Sequence, residues 1–303
     1  YTMVTLEELG LLKMDFLGLR NLTVLDDAVK MVQQREPEFA LSKIPDDDAE
    51  TYDMISRGQT AGVFQIESTG MTGVCVGLKP QSIEDITAVI ALYRPGPMES
   101  IPRFIACKHD PKLVTYKHPR LVPILSVTYG CIVYQEQVIR IFQELGGFSL
   151  GQADMVRRAM SKKKADVMAK ERQNFVYGNP EEGVPGCIAN GIDEKTANKI
   201  YDEMTDFAKY AFNKSHAAAY AVVSYQTAWL KYYYPVEYMA ALMTSVIDNP
   251  GKVAEYIYSC RQMGIKILPP DINHGYSSFS VDNGSIRYLS LIHISEPTRH
   301  LRI

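Results

Sequence analysis

The 303 residues offer no pairing for their cysteines. Cys75, Cys107, Cys131, Cys187 and Cys260 are scattered, with no C-x-x-C pair and no histidine at metal-ligand spacing. That pattern argues against a disulfide framework or a metal staple and reads as reduced thiols in a cytosol. An excess of positive charge is also missing. The net charge of -3 excludes a surface coated in cations, so any nucleic-acid surface must be local. No secretory leader is expected. The most apolar run, Ala217 to Tyr234, is interrupted by Ser224, Gln226, Thr227 and Lys231, which argues against a membrane span. No internal repeat is found. With 46% hydrophobic and 22% charged residues the chain is too apolar for disorder and long enough for two or more cores.

What is present is unevenly placed. Glu36 to Asp53 holds seven carboxylates against Lys43, whereas Arg157 to Arg172 holds seven cations against Asp166 and Glu171. Such segregation is what a localised anion site needs, although a solvated basic face is the commoner cause of such a cluster. The most informative stretch is Phe207 to Trp229. Ala217, Ala218, Ala219 and Ala221 form a buried helix with Tyr220, Val222, Val223, Tyr225 and Trp229 on its other faces. Asn213 or Ser215 can cap its start. Lys214 and His216 stand at that start, where free N–H groups and the helix dipole favour an anion such as phosphate. By itself a Lys and a His at a helix start are more often solvated than functional.

The pattern elsewhere is mostly helical. Leu11 to Leu19 is short and apolar, which predicts a buried strand with Lys13 and Asp15 on one face. Read from the residues alone, Asp15 is more often an ion-pair partner of Lys13 or Arg20 than a metal ligand. Helices are expected from Leu22 to Gln34 behind an Asn21 cap, from Asp46 to Ser56, and from Ser82 with Asp85 at capping-box distance. Ala61 to Ser68 alternates like a strand. Pro95 forces Arg94 out of the helical region and onto a stiff loop. Val127 to Val133 reads as a strand and Tyr134 to Leu145 as a helix stopped by Gly146-Gly147, its Val138, Ile141, Phe142 and Leu145 stripe facing a core. Ser149 and Gln152 box the next helix, which runs into Lys162, Lys163 and Lys164. There Arg158 and Lys162 would be like charges at i, i+4 unless an anion sits between them. After a Gly- and Pro-rich loop, 178–191, helices are expected over 193–207, 235–246 and 250–263. A hairpin then turns at Asp282-Asn283-Gly284.

KMDFLGLRNLT, GVFQIESTGM, ALYRPGPM, TYGCIVYQEQV, MVRRAMSKKK, FNKSHAAAYAVVSYQTAWLK and ILPPDIN follow one another here in an order that resembles the alpha subunits of bacterial DNA polymerase III, the C-family replicative polymerases. The resemblance spans about Thr5 to Tyr288. It implies an α+β, predominantly α-helical fold: 1–20 as the last strand of a nucleotidyltransferase-like palm, 21–288 as fingers. Residues 289–303 do not continue the pattern and are read as a non-native tail.

The same resemblance implies roles residue by residue. Asp15 matches the third metal-binding aspartate of a site that holds two magnesium ions. Arg157, Arg158 and, less directly, Lys162, Lys163 and Lys164 match the segment near the incoming triphosphate. Tyr210 would lie by the incoming base with Lys214, Ser215 and His216 beside it. Arg94, Gln65, Ser68 and Lys13 would line the same cleft, toward nucleotide and primer terminus. The implied reaction is transfer of a nucleotidyl group from a dNTP to a primer 3′ hydroxyl. Primer–template DNA would be the macromolecular partner, with a sliding clamp and other replisome subunits bound by regions outside these residues, in the cytoplasm and without a membrane. The family's P-D-x-D-x-D-F motif, which carries the other two aspartates, does not occur in this sequence, so a polymerase fragment inactive by itself is expected. Two other classes compete with that reading. A helical single-strand binder would show salt-dependent but nucleotide-independent binding, and a ligand-free scaffold would show neither.

Overall fold

The computed structural model describes residues 1–14, 16–161, 165–208 and 210–288. Asp15, Lys162, Lys163, Lys164 and the tail 289–303 lie outside the described residues. In chain order the α-helices are α1 (Met3–Glu8), α2 (Arg20–Gln33), α3 (Ala49–Ser56), α4 (Thr69–Leu78), α5 (Ile83–Leu92), α6 (Ile101–His109), α7 (Val122–Leu125), α8 (Gln135–Gly146), α9 (Leu150–Ser161), α10 (Ala165–Tyr177), α11 (Gly186–Ala189), α12 (Glu194–Ala208), α13 (Lys214–Tyr233), α14 (Pro235–Ser245) and α15 (Pro250–Gln262). Three short strands are described: β1 (Ile267–Leu268), β2 (Ser280–Asp282) and β3 (Ser285–Arg287). The fold is predominantly α-helical, as expected.

Two compact units share the chain: 40–235, and 1–39 together with 236–303. In the first, local signals set the helix ends. Asp48 accepts from Thr51 N at the start of α3, Ser68 from Met71 N at α4, Ser82 from Asp85 N at α5, and Asn213 from His216 N at α13. Gly147, at φ 76°, ends α8.

Burial then gathers these helices around two cores within the unit. In one, Ala217, Ala221 and Ala228 of α13 are fully buried and the helix packs closely on α5, with Tyr52, Ile55, Val63, Ile66 and Leu78 filling the space around them. In the other, the expected α8 stripe Val138, Ile141, Phe142 and Leu145 meets α9, α10 and α12. There Phe142 makes edge contacts with Phe148, Phe175 and Tyr201 at ring-centre distances of 5.2, 5.1 and 6.1 Å. All five cysteines are free and buried, and among the described residues no helix is long and apolar enough to cross a membrane.

Three strand expectations are overturned. Residues 11–14 and 16–19 form no strand, and Phe16 and Leu17 are 92% and 96% exposed. An apolar run becomes a strand only where a partner completes its hydrogen bonds, and the described residues provide none. Residues 61–68 form successive turns. Val63 and Ile66 are buried three residues apart while Gln65, at φ 63°, is exposed, so burial follows the turns and not the alternation. In 127–133, Tyr129 and Gly130 take positive φ and the Thr128 hydroxyl donates to Cys131 O at 2.6 Å, closing a turn. Two smaller corrections concern helices. Helix α2 begins at Arg20 behind Leu19, with no side-chain cap from Asn21. Val222 is partly exposed on α13 and does not cover a core face.

In the second unit, α2 buries Val24, Leu25, Ala28 and Val32. Arg20 donates to Ser245 O at 3.3 Å, and Arg35 pairs with Glu237 at 3.0 Å. The expected hairpin is present, β2 antiparallel to β3 with Asn283 and Gly284 at positive φ in its turn. The parallel pairing of β1 with β3 was not foreseen.

Candidate functional site

Within 40–235, the proline after Arg94 fixes the loop that carries the guanidinium. Arg94 Nε donates to Ala91 O at 2.9 Å, and its terminal nitrogen donates to Tyr210 O. The guanidinium carbon lies 4.4 Å from the Phe212 ring centre, a cation–π contact. Burial holds Arg94 below its ordinary pKa, a reason for these groups to be arranged around a cation. Gly96 has φ 100°, and a Cβ there would stand 2.7 Å from the Tyr210 ring. Only glycine meets both demands.

Tyr210 to His216 is tied from behind to the start of α8. Gln135 N donates to Phe212 O at 2.9 Å and Gln135 Nε2 to Ala211 O at 2.9 Å. Tyr210 itself stays substantially exposed. His216 lies between Phe212 and Tyr220, its ring centre 5.5 and 4.3 Å from theirs and tilted to both. Phe64 continues the row 5.2 Å beyond Tyr220, and Gln65 follows it. The structure thus joins Arg94, Tyr210, His216 and the Gln65 loop through a row of aromatic rings, while Lys214 stands at the start of the same helix. Ser215 is exposed on the first turn of α13, and Ser68 is spent on capping α4.

The open N-terminus foreseen for α13 is corrected. Both Glu136 oxygens accept from Lys214 N, at 3.1 and 3.0 Å, while Lys214 Nζ pairs with Glu84 at 3.1 Å. The first anion at this helix start is therefore the chain's own. Lys214 Nζ also lies 5.5 Å from the Tyr134 ring centre. Burial, with the charges of Glu84 and Glu136, pushes the Tyr134 phenol up.

Arg157 and Arg158 sit on α9 and meet at Asp154. Arg157 donates twice to its Oδ1, at 3.0 and 2.7 Å, and Arg158 Nε pairs with its Oδ2 at 2.8 Å. These bonds, those from Arg157 first, hold the Asp154 carboxyl below its usual range. Asp154 was readable three and four residues before the arginines. Glu84, Glu136 and Phe212 had no local signal. Lys13 is exposed and belongs to the other unit. Among the described residues no three His, Cys, Asp or Glu side chains converge where they could hold a metal ion.

The model of the bacterial DNA polymerase III alpha subunit finger domain matches residues 21–183. The DNA polymerase III subunit alpha of Bacillus subtilis is 49% identical over 289 residues, covering 95% of this chain and 25% of that protein. That of Thermus aquaticus is 50% identical over 287 residues, 93% of this chain and 23% of that protein. The Escherichia coli K12 protein is 48% identical over 295 residues, again 93% and 25%. The chain spans about a quarter of the length of these curated relatives.

Proposed function

The chain belongs to the bacterial DNA polymerase III alpha-subunit family, and on that premise we propose that it forms the nucleotide-facing part of a DNA-directed DNA polymerase. The observation that carries this is the continuous surface from Arg94 through Tyr210, Phe212, His216 and Tyr220 to Phe64 and Gln65. An exposed tyrosine offers a face on which a base can stack, and Arg94, which donates to the Tyr210 carbonyl, supplies positive charge beside it.

In this reading Tyr210 contacts the incoming base, Arg94, Lys214, Ser215 and His216 lie along the dNTP, and Arg157 and Arg158 take its phosphates. Gln65, Ser68, Lys13 and Lys162 to Lys164 face primer and template. Phosphoryl transfer asks the protein mainly to position reactants and neutralise charge, and these side chains suit that work. Magnesium, with Asp15 as one ligand, would supply charge neutralisation at the reacting oxygens when bound. Primer–template DNA and the dNTP are the proposed substrates. A sliding clamp and replisome subunits, acting on other parts of the intact protein in the cytoplasm, are the proposed partners.

The test is primer extension by the intact polymerase carrying Tyr210→Ala or Arg94→Ala. Losing a base-stacking ring typically costs about 1–3 kcal/mol, so the apparent dNTP KM should rise about five- to a hundredfold with primer–template affinity little changed. Thermal protection by DNA that is indifferent to nucleotide would favour the single-strand binder instead.

A further inference from the structure

The polar residues that interrupt the apolar run of α13 are not explained by the surface just described. Tyr220, Ser224, Thr227 and Lys231 recur at spacings of four, three and four, so they form one stripe along the helix. Lys231 is 5% exposed, yet its ammonium group donates to Gln59 O at 2.7 Å and Ala61 O at 2.8 Å. Thr227, fully buried, donates to Ser224 O at 2.7 Å and accepts from Phe64 N at 3.1 Å. Three of the stripe's hydrogen bonds thus end on the backbone of one loop, 59–64, which has neither helix nor strand to order it.

Within the loop Val63 N donates to Thr60 O at 2.9 Å, Ile66 N to Phe64 O at 2.9 Å, and Gly62 N to a Glu67 oxygen at 3.1 Å, and the Thr60 and Thr72 hydroxyls share a hydrogen bond of 2.6 Å. Gln65 is held at φ 63°, a conformation that residues other than glycine adopt only when their surroundings impose it. Burying an ammonium group is costly unless its hydrogen bonds are made. A methionine or leucine would fill the same space at lower cost, so the position of Lys231 is explained by what it grips.

We propose that Lys231 and Thr227 are positioning residues that dock the 59–67 loop onto α13, so that Phe64 joins the aromatic row and Gln65 is presented to the substrate side. This rests on the function proposed above. Neither residue touches the proposed substrate; both act through Gln65.

The experiment uses the intact polymerase with Thr227→Val, Lys231→Met, Gln65→Ala and the Gln65→Ala combinations, with Arg94→Ala as an independent control. Thr227→Val is near-isosteric and keeps the question answerable if Lys231→Met fails to fold. Amide exchange at 62–66 should quicken about fivefold or more in Thr227→Val, from loss of one neutral hydrogen bond, while amides of α8 keep their protection. Extension should fall about tenfold in Lys231→Met, from loss of a charged donor, but less than twofold when Gln65 is already alanine. Unchanged exchange at 62–66 would overturn the docking role. Quickened exchange with unaltered extension, or equal losses with and without Gln65, would overturn the positioning role. If Arg94→Ala also left nucleotide kinetics unaltered, the underlying assignment of the surface would be at fault.

Discussion

Arg158→Ala in the intact polymerase separates a functional role from a structural one more cleanly than any other change at α9. The Arg158 side chain is 68% exposed and, among the described residues, pairs with Asp154 on its own helix at 2.8 Å. Such an exposed helical pair contributes about 0.3–0.5 kcal/mol, so thermal stability should barely move. Arg157 is different: at 14% exposed, with two bonds to the same carboxylate, its loss also disturbs packing. If Arg158 leaves Asp154 for a triphosphate, losing that charged hydrogen bond costs about 1.5–3 kcal/mol. The expected outcome is a ten- to hundredfold rise in dNTP KM or fall in extension rate, measured by single-nucleotide primer extension, with primer–template affinity unchanged. Unchanged nucleotide kinetics with weaker DNA binding and a shallower salt slope would refute this and make the arginine a DNA-backbone contact. Acidity gives an internal check. Asp154 has a depressed pKa when folded, so its contribution is fully present above the unfolded carboxylate value, about 3.9, and is lost only below that. Between pH 5 and 8 the pair should therefore add no pH dependence to the mutant comparison.

Further outcomes are expected of the intact polymerase and of these 303 residues alone. Asp15→Asn should abolish extension while leaving DNA binding nearly intact, and normal turnover in that variant would show that Asp15 is not the metal ligand proposed; the 303 residues purified alone should not extend a primer, and magnesium-dependent extension by them would show that the two other aspartates of the P-D-x-D-x-D-F motif are not required. Gly96→Ala should strain a positive φ and drive a Cβ into Tyr210, raising dNTP KM more than it lowers thermal stability, read by extension kinetics and melting side by side. Burial pushes Cys75 and Cys187 up to about 12 and Cys131 up to about 11, so alkylation at pH 8 should proceed only as the protein unfolds. Because those pKa values are raised by folding, the contribution is present below about pH 8.5, the unfolded thiol value, and stability should decline as pH rises from there toward 11–12.

Helices were legible because their signals are local. Ser82 with Asp85, Asn213 with His216, and Gly147 each act within a few residues, and each ended a helix where expected. Strands were not, because a strand is a property of two segments. The alternation of 61–68 is real, but its Phe64 amide is answered by Thr227, 163 residues away, and among the described residues no neighbouring strand uses the pattern. The site was legible from the residues only as scattered candidates. Arg94 and Tyr210 meet across 116 residues, and Lys214 and Glu84 across 130, distances over which periodicity carries no information. Their grouping came from the family resemblance and their contacts from the fold. Of the carboxylates that answer the cations, Asp154 stood at helical spacing from its arginines, whereas Glu84 and Glu136 belonged to other helix starts in the sequence and met Lys214 only once folded.

The most direct measurement is amide hydrogen exchange on the intact polymerase bound to a 3′-deoxy-terminated primer–template, with the complementary dNTP, a mismatched dNTP or none. The expected result is added protection of 93–97 and 210–220 that appears only with the complementary dNTP. Protection of those segments by DNA alone, or none with any nucleotide, would contradict the assignment of this surface to the incoming nucleotide.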